Sequence, residues 1–220
     1  MTTVAIMQPY FYPYAGYFRL FARADLFVVY DCVQFPRRGW VHRNRLTAAD
    51  GTLQWLTLHL AHAPQDTAIR DMRLDPGAMT RLRADLRRFP LVAQARGDPI
   101  DRLPLFTGEV DVTDYLVRNL QAVLDLLGIR CPVQRSSALA LDAELRGEQR
   151  ILEIAARLGA TRYLNAPGGR ELYDAVTFRA RGIDLAFLDT AAGPGSSMLE
   201  RLCRDSIEAI RAEVVRDSAA

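Results

Sequence analysis

The chain has 220 residues, half of them apolar and a quarter charged, with a net charge of +2 when its three histidines are neutral. That length buries a proper core and predicts one domain over 1–220, and the mild charge excludes the dense basic surface of a protein that tracks nucleic acid. Lysine is absent, so all 28 basic residues are arginine, which excludes a Schiff base, a phosphate-loop lysine and a lysine nucleophile.

In chain order, the sequence goes straight into a strand pattern with no charged and apolar leader ahead of it. VAIM (4–7) and LFVVYD (26–31) read as strands, and AGYFRLFARAD between them carries apolar residues at helical spacing, which makes a βαβ opening. Between strand and helix lies QPYFYPYAGYF (8–18), which packs six aromatic residues around two prolines and a glycine. A plain turn needs only Gly, Asn or Asp, whereas tyrosine suits a ligand wall because its apolar ring carries one hydrogen-bonding tip.

The segment VQFPRRGWVHRNRL (33–46) crowds arginines among large apolar groups, and LQWLTLHL (53–60) is a strand joined to it by a hairpin turn at Gly51. Residues 63–108 read as a helical insertion, with an Arg-rich amphipathic helix in MTRLRADLRRF (79–89). A helix over 112–127 is stopped by Gly128. The last third returns to alternation: a helix over 148–158, a strand over 161–165, a Gly-rich turn, a helix over 171–181, a strand over 183–188 and a final helix over 197–215. The fold class is therefore α/β, a mainly parallel sheet covered by helices in a Rossmann-like manner.

Such sheets bind ligands beyond the carboxyl ends of their strands. Both unusual loops belong there, the aromatic one after VAIM and NAPGGREL after TRYL, where Gly168 and Gly169 let main-chain N–H groups approach an anion or simply make a tight turn. Asp31 ends a strand on the same edge, and His42 is the histidine in the most polar setting, so these two are the candidate proton-transfer groups. Arg37, Arg38, Arg43 and Arg45 are candidates for bidentate contact with phosphate or carboxylate. Cys32 reads as a buried thiol, and Ser136 and Ser137 as a helix cap or a phosphate contact.

Cys32, Cys131 and Cys203 form no paired spacing, so neither disulfides nor a metal site is indicated and a reducing cytoplasm is the expected location. No apolar run approaches the ~18 residues of a membrane span. There is no GxGxxG, GxxxxGK[ST] or GxSxG, and no motif specifies a cofactor.

QPYFYPYAGYF, FVVYD, VQFPRRGWVHRNRL, the serine pair, YLNAPGGRELYD and SMLERL together resemble the WbqC-like family, found in bacterial polysaccharide and O-antigen gene clusters. The resemblance implies a transferase moving an acyl or aminoacyl group, glycyl in type, to a sugar or other small amine. It also implies a substrate that is phosphate- or carrier-linked, or a tRNA acceptor end. The alternative it leaves is a non-catalytic protein that binds a nucleotide-linked or carrier-linked metabolite. By family pattern the matching positions are Gln8, Pro9, Tyr10, Pro13, Gly16, Tyr17, Asp31, Gln34, Arg38, Trp40, Arg43, Asn44, Ser137, Tyr163, Gly168, Gly169 and Tyr173. Of these, Gln8, Tyr10, Gly16, Tyr17, Gln34, Arg38, Trp40, Arg43, Asn44, Ser137, Gly168, Gly169 and Tyr173, joined by Tyr14 of the aromatic loop, are the substrate-binding candidates, with Asp31 as the acid. Cys32, Asn165, Pro167 and a short stretch between Asp189 and Ser197 depart from that pattern. A looser similarity sets Tyr14 and Tyr17 where nucleotidyl-transferring α/β proteins carry the histidines of HxGH, which speaks against ATP activation here.

Overall fold

A computed structural model describes residues 1–108, 110–189 and 195–216. The stretch between Asp189 and Ser197 thus lies largely outside the described residues.

Five parallel strands make the central sheet: β1 (Thr3–Met7), β2 (Leu26–Val29), then, after an antiparallel hairpin of β3 (Arg43–Thr47) and β4 (Leu53–Thr57), β5 (Val133–Arg135), β6 (Arg162–Asn165) and β7 (Asp184–Phe187). The sheet order β5-β2-β1-β6-β7 puts β1 at the centre, where both of its faces are covered. That explains why VAI is apolar without alternation. The chain winds outward from β1 to β5, then returns to lay β6 on the other side of β1. This reversal leaves a crevice beyond the carboxyl ends of β1 and β6, the place where open α/β sheets bind ligands.

Helices cover both faces of the sheet. Ala5, Phe27 and Val29 pack toward α1 (Ala15–Arg23), α4 (Val112–Leu127) and α8 (Ile207–Val215), and the same apolar cluster runs on into the hairpin, α2 (Ala78–Leu86), α3 (Pro90–Gln94) and α7 (Met198–Arg204). Val4, Ile6 and Val28 face α5 (Gly147–Arg157) and α6 (Ala175–Ala180) instead. The alternation of Val4 and Ile6 against Ala5 along β1 is the period of two expected of a strand. No helix among the described residues is long and apolar enough to cross a membrane.

Three elements differ from the sequence reading. The helix expected over 171–181 starts only at Ala175, because Asp174 caps it by accepting from the Val176 N–H at 2.9 Å. The final helix is two helices: Ser206 caps α8 by accepting from the Ala209 N–H, and Asp205 is drawn into extended backbone beside Arg201 and Arg204. β5 has three residues, too few for a periodicity to register, so the serines beyond it read as a helix cap in sequence.

Candidate functional site

The aromatic loop after β1 is held by a small set of buried polar groups. Tyr12 is fully buried with φ at 43°, a region that side chains other than glycine rarely occupy and that costs about 1–3 kcal/mol. Three donors converge on its carbonyl: Asn44 Nδ2 at 2.6 Å, Ser197 Oγ at 2.8 Å and the Met198 N–H at 3.2 Å. Asn44 Nδ2 also reaches the Phe11 carbonyl at 3.0 Å, and the Tyr12 hydroxyl donates to Asn119 Oδ1. The kink sends Phe11 and Tyr12 into the core and leaves Tyr10, Tyr14 and Tyr17 around an open space.

That space is a cavity of about 660 Å³ at the crevice between β1 and β6. Gln8, Tyr10, Pro13, Tyr14 and Tyr17 line it from the first loop, Tyr30 from the end of β2, Trp40 and Asn44 from the following segment, and Asn165, Gly168, Gly169 and Tyr173 from β6 and its turn. The sequence-predicted residues Gln8, Tyr10, Tyr14, Tyr17, Trp40, Asn44, Gly168, Gly169 and Tyr173 are thereby brought together. Gly16 stands just behind the wall: a Cβ there would come within 2.3 Å of the Tyr14 ring.

Ile6, Met7, Ile151 and Leu172 add apolar surface to the wall, and its polar groups are neutral. Burial raises the phenol pKa of Tyr10, Tyr14 and Tyr173, and pushes that of Tyr17 well above the usual tyrosine range. Tyr30 is pushed up to about 12, chiefly by burial, against the opposing pull of the Arg150 guanidinium that hydrogen-bonds it. All five phenols are therefore protonated near neutral pH and act as donors. Tyr17 spends its proton on the Gln8 carbonyl at 2.8 Å, with the Tyr10 and Tyr17 ring centroids 5.4 Å apart. Asn165 accepts from the Ala166 N–H at 2.7 Å, while its amide nitrogen lies 2.4 Å from where a Gly169 Cβ would sit. No Asp, Glu, His or Arg is among the described residues that line the cavity.

Asp31, Gln34, Arg38, His42, Arg43 and Ser137 do not line it. Asp31 is fully buried, and its carboxylate accepts from Ser136 Oγ at 2.9 Å, the Ser137 N–H at 2.9 Å and Ser137 Oγ at 2.7 Å. Ser136 Oγ in turn accepts from the Asp31 N–H at 3.1 Å, so the pair fastens the end of β2 to the end of β5. Gln34 donates to the Gln65 carbonyl at 2.8 Å, holding the insertion. Arg43 donates to the Gly39 and Arg38 carbonyls and stacks on Trp55, while Arg38 is exposed. His42 packs against Phe35 with ring centroids 5.0 Å apart.

Sequence reasoning passed over Tyr30 and took Asn165 only as a departure from the family pattern, although both sit at carboxyl ends of strands flanking or next to the crevice. That position was their signal.

With this geometry in view, the comparisons decide the family. The pattern of the WbqC-like protein family matches residues 8–195. The chain belongs to the WbqC-like family. It is also 30% identical over 196 residues to uncharacterized protein Rv1507c of Mycobacterium tuberculosis, a similarity covering 86% of this chain and 83% of that one. No solved structure gives a significant match. The matched WbqC-like region includes every residue that lines the cavity except Ile6 and Met7 of β1.

Two outcomes follow locally. Gly16→Ala must push the Tyr14 ring aside, and because that ring is 37% exposed it can move at little cost. Thermal denaturation should shift by no more than a degree or two, about 0.5 kcal/mol, while affinity for whatever the cavity holds falls.

The His42 pKa is lowered from 6.5 to about 4 by burial first and then by Arg43 and Arg37. Between those two values the unfolded chain binds a proton that the folded chain refuses, so stability is full above pH 6.5 and declines as the pH falls toward 4. Denaturation midpoints measured across that range should drop less steeply for His42→Phe than for the wild type. Parallel curves would remove the histidine from the acid response.

Proposed function

We propose that this WbqC-like chain is a transferase that joins an acyl or aminoacyl group, glycyl in type, to the amine of a sugar or other small acceptor held in the cavity. The observation that carries this reading is the wall itself: protonated phenols and the carboxamides of Gln8 and Asn165, framed by aromatic rings. Aromatic faces cover the apolar side of a sugar-like ring while phenols and amides meet its polar groups. Donors of the same kind stabilise the negative charge that develops on an acyl oxygen during attack.

The transfer balances without a charged base on the wall. The acceptor nitrogen attacks the acyl carbon and a C–N bond forms. The C–O or C–S bond to the carrier breaks, and the amine proton leaves with the departing oxygen or sulfur. Much of the acceleration of such a step comes from holding the two reactants in line. In this reading Asp31 and His42 serve the framework and the tyrosines do the positioning. The setting in polysaccharide, O-antigen or secondary-metabolite assembly is part of the proposal and rests on family membership.

The uncharged wall also favours a second reading, in which the chain binds its metabolite and performs no chemistry. One experiment separates the two. The protein is incubated with a glycyl thioester or glycyl-tRNA and a panel of amino sugars and nucleotide-linked amino sugars, and amide products are sought by mass spectrometry. Protein-dependent product that is lost in Tyr30→Phe or Asn165→Ala supports transfer. Saturable binding of an amino sugar with no product from either donor supports the binding protein.

A further inference from the structure

The mouth of the cavity continues onto the outer face of the hairpin. Trp40 lines the cavity and is 40% exposed, and its indole centroid lies 5.1 Å from that of Trp55 on β4. Arg45 sits over both rings, its guanidinium carbon 5.6 Å from the Trp40 centroid and 5.1 Å from the Trp55 centroid. Arg43 covers Trp55 at 4.1 Å. Strand alternation assembles the group: Asn44 and Leu46 are buried beneath the hairpin, whereas Arg43 and Arg45 emerge on the other face, with Arg45 directly across from Trp55.

These guanidiniums are not consumed by carboxylates. The partners of Arg43 are the Gly39 and Arg38 carbonyls and the indole, those of Arg45 are the two indoles, and no carboxylate pairs with either among the described residues. Lying on indole faces, the Arg45 guanidinium keeps its N–H edge free for bidentate contact with phosphate, and Arg43, whose Nε and Nη2 donate to main-chain carbonyls, keeps Nη1 for a single contact. Two such groups at alternate positions of one strand stand roughly 7 Å apart along it, a spacing that linked phosphates bridge. Among the described residues, the cavity wall just inside holds no cation to do this work.

We infer that the Trp40–Trp55–Arg45–Arg43 face holds the nucleoside diphosphate end of a ligand whose uncharged end enters the cavity. The base stacks on the exposed side of Trp40, and the diphosphate meets Arg45 and Arg43. Base stacking on aromatic side chains and arginine planes is sequence-tolerant and strong enough to anchor a nucleotide. The inference rests on the cavity as the ligand site and names the part of the substrate that lies outside it.

The chain has two tryptophans, both in this face, so intrinsic fluorescence reads the site directly. The full-length protein is titrated at low ionic strength with uridine 5′-diphosphate, with uridine and with inorganic pyrophosphate. The diphosphate should change the emission saturably, and should still do so in Trp55→Phe, where Trp40 is the remaining emitter. Uridine and pyrophosphate should each bind at least about tenfold more weakly, and Arg45→Gln and Arg43→Gln should each weaken the diphosphate by about tenfold.

An unchanged affinity in Arg45→Gln, or no saturable change with the diphosphate, overturns the inference. Pyrophosphate binding as tightly as the diphosphate overturns the stacked base. If the diphosphate fails while an amino sugar still binds in a manner sensitive to Gly169→Ala, this face is refuted and the cavity reading stands.

Discussion

Asp31→Ala is expected to cost about 3 kcal/mol of folding stability, lowering the melting temperature by about 6–12 °C for a chain of this size. The carboxylate is fully buried and accepts three hydrogen bonds from Ser136 and Ser137. Its removal strands the buried Ser136 hydroxyl and takes the partner from both half-buried Ser137 donors, and an unsatisfied buried donor loses its whole desolvation energy. Because the same serines hold the end of β5 against β2, that edge of the sheet loosens as well. Ser137→Ala removes one of the three bonds and should cost about 1 kcal/mol. Denaturant unfolding of both variants checks this, and an Asp31→Ala protein as stable as wild type would mean that the clasp carries no energy.

Asn44→Ala should lower stability by about 2–3 kcal/mol and abolish ligand binding together. Its amide nitrogen holds the carbonyls of both Phe11 and Tyr12, and its Oδ1 accepts from the Arg45 N–H at 2.8 Å. The Tyr12 backbone stays at φ 43° only while the surroundings over-determine it. Without the amide the loop can relax out of that conformation, and Tyr10, Tyr14 and Tyr17 lose their arrangement around the cavity. Asn44→Asp is the sharper variant, since it sets a carboxylate against two carbonyl oxygens. Equal stability in all three proteins would refute the amide as the loop's clamp.

The aromatic loop was legible in sequence because its density of rings exceeds what a turn needs, and the sheet order turned that loop and the Gly-rich turn toward one crevice. Tyr10, Tyr14 and Tyr17 were singled out in sequence, but what turns them and not Tyr12 toward the cavity was not legible. That depends on the backbone at Tyr12, which is fixed by Asn44 and Ser197, partners 32 and 185 residues away. Asp31 was ambiguous for the same reason. The carboxyl end of a strand is where ligand-facing acids stand and also where neighbouring strands are clasped, and the serines that hold its carboxylate lie 105 and 106 residues on. Arg43 reads in sequence as an anion contact, yet its immediate partners are an indole and main-chain carbonyls that only the hairpin register brings to it.

Gly168 and Gly169 are adjacent and line the same cavity, the first exposed and the second buried. A Cβ at Gly168 meets nothing within 4 Å, whereas at Gly169 it would lie 2.4 Å from the amide nitrogen of Asn165. Calorimetric titration should use the amino sugar or nucleotide-linked amino sugar that most raises the melting temperature of the wild-type protein. Gly168→Ala should bind it as the wild type does, and Gly169→Ala should bind it at least about tenfold more weakly, the loss of one good hydrogen-bonding group. Equal affinities in the two variants would contradict the cavity between β1 and β6 as the place where this protein holds its ligand.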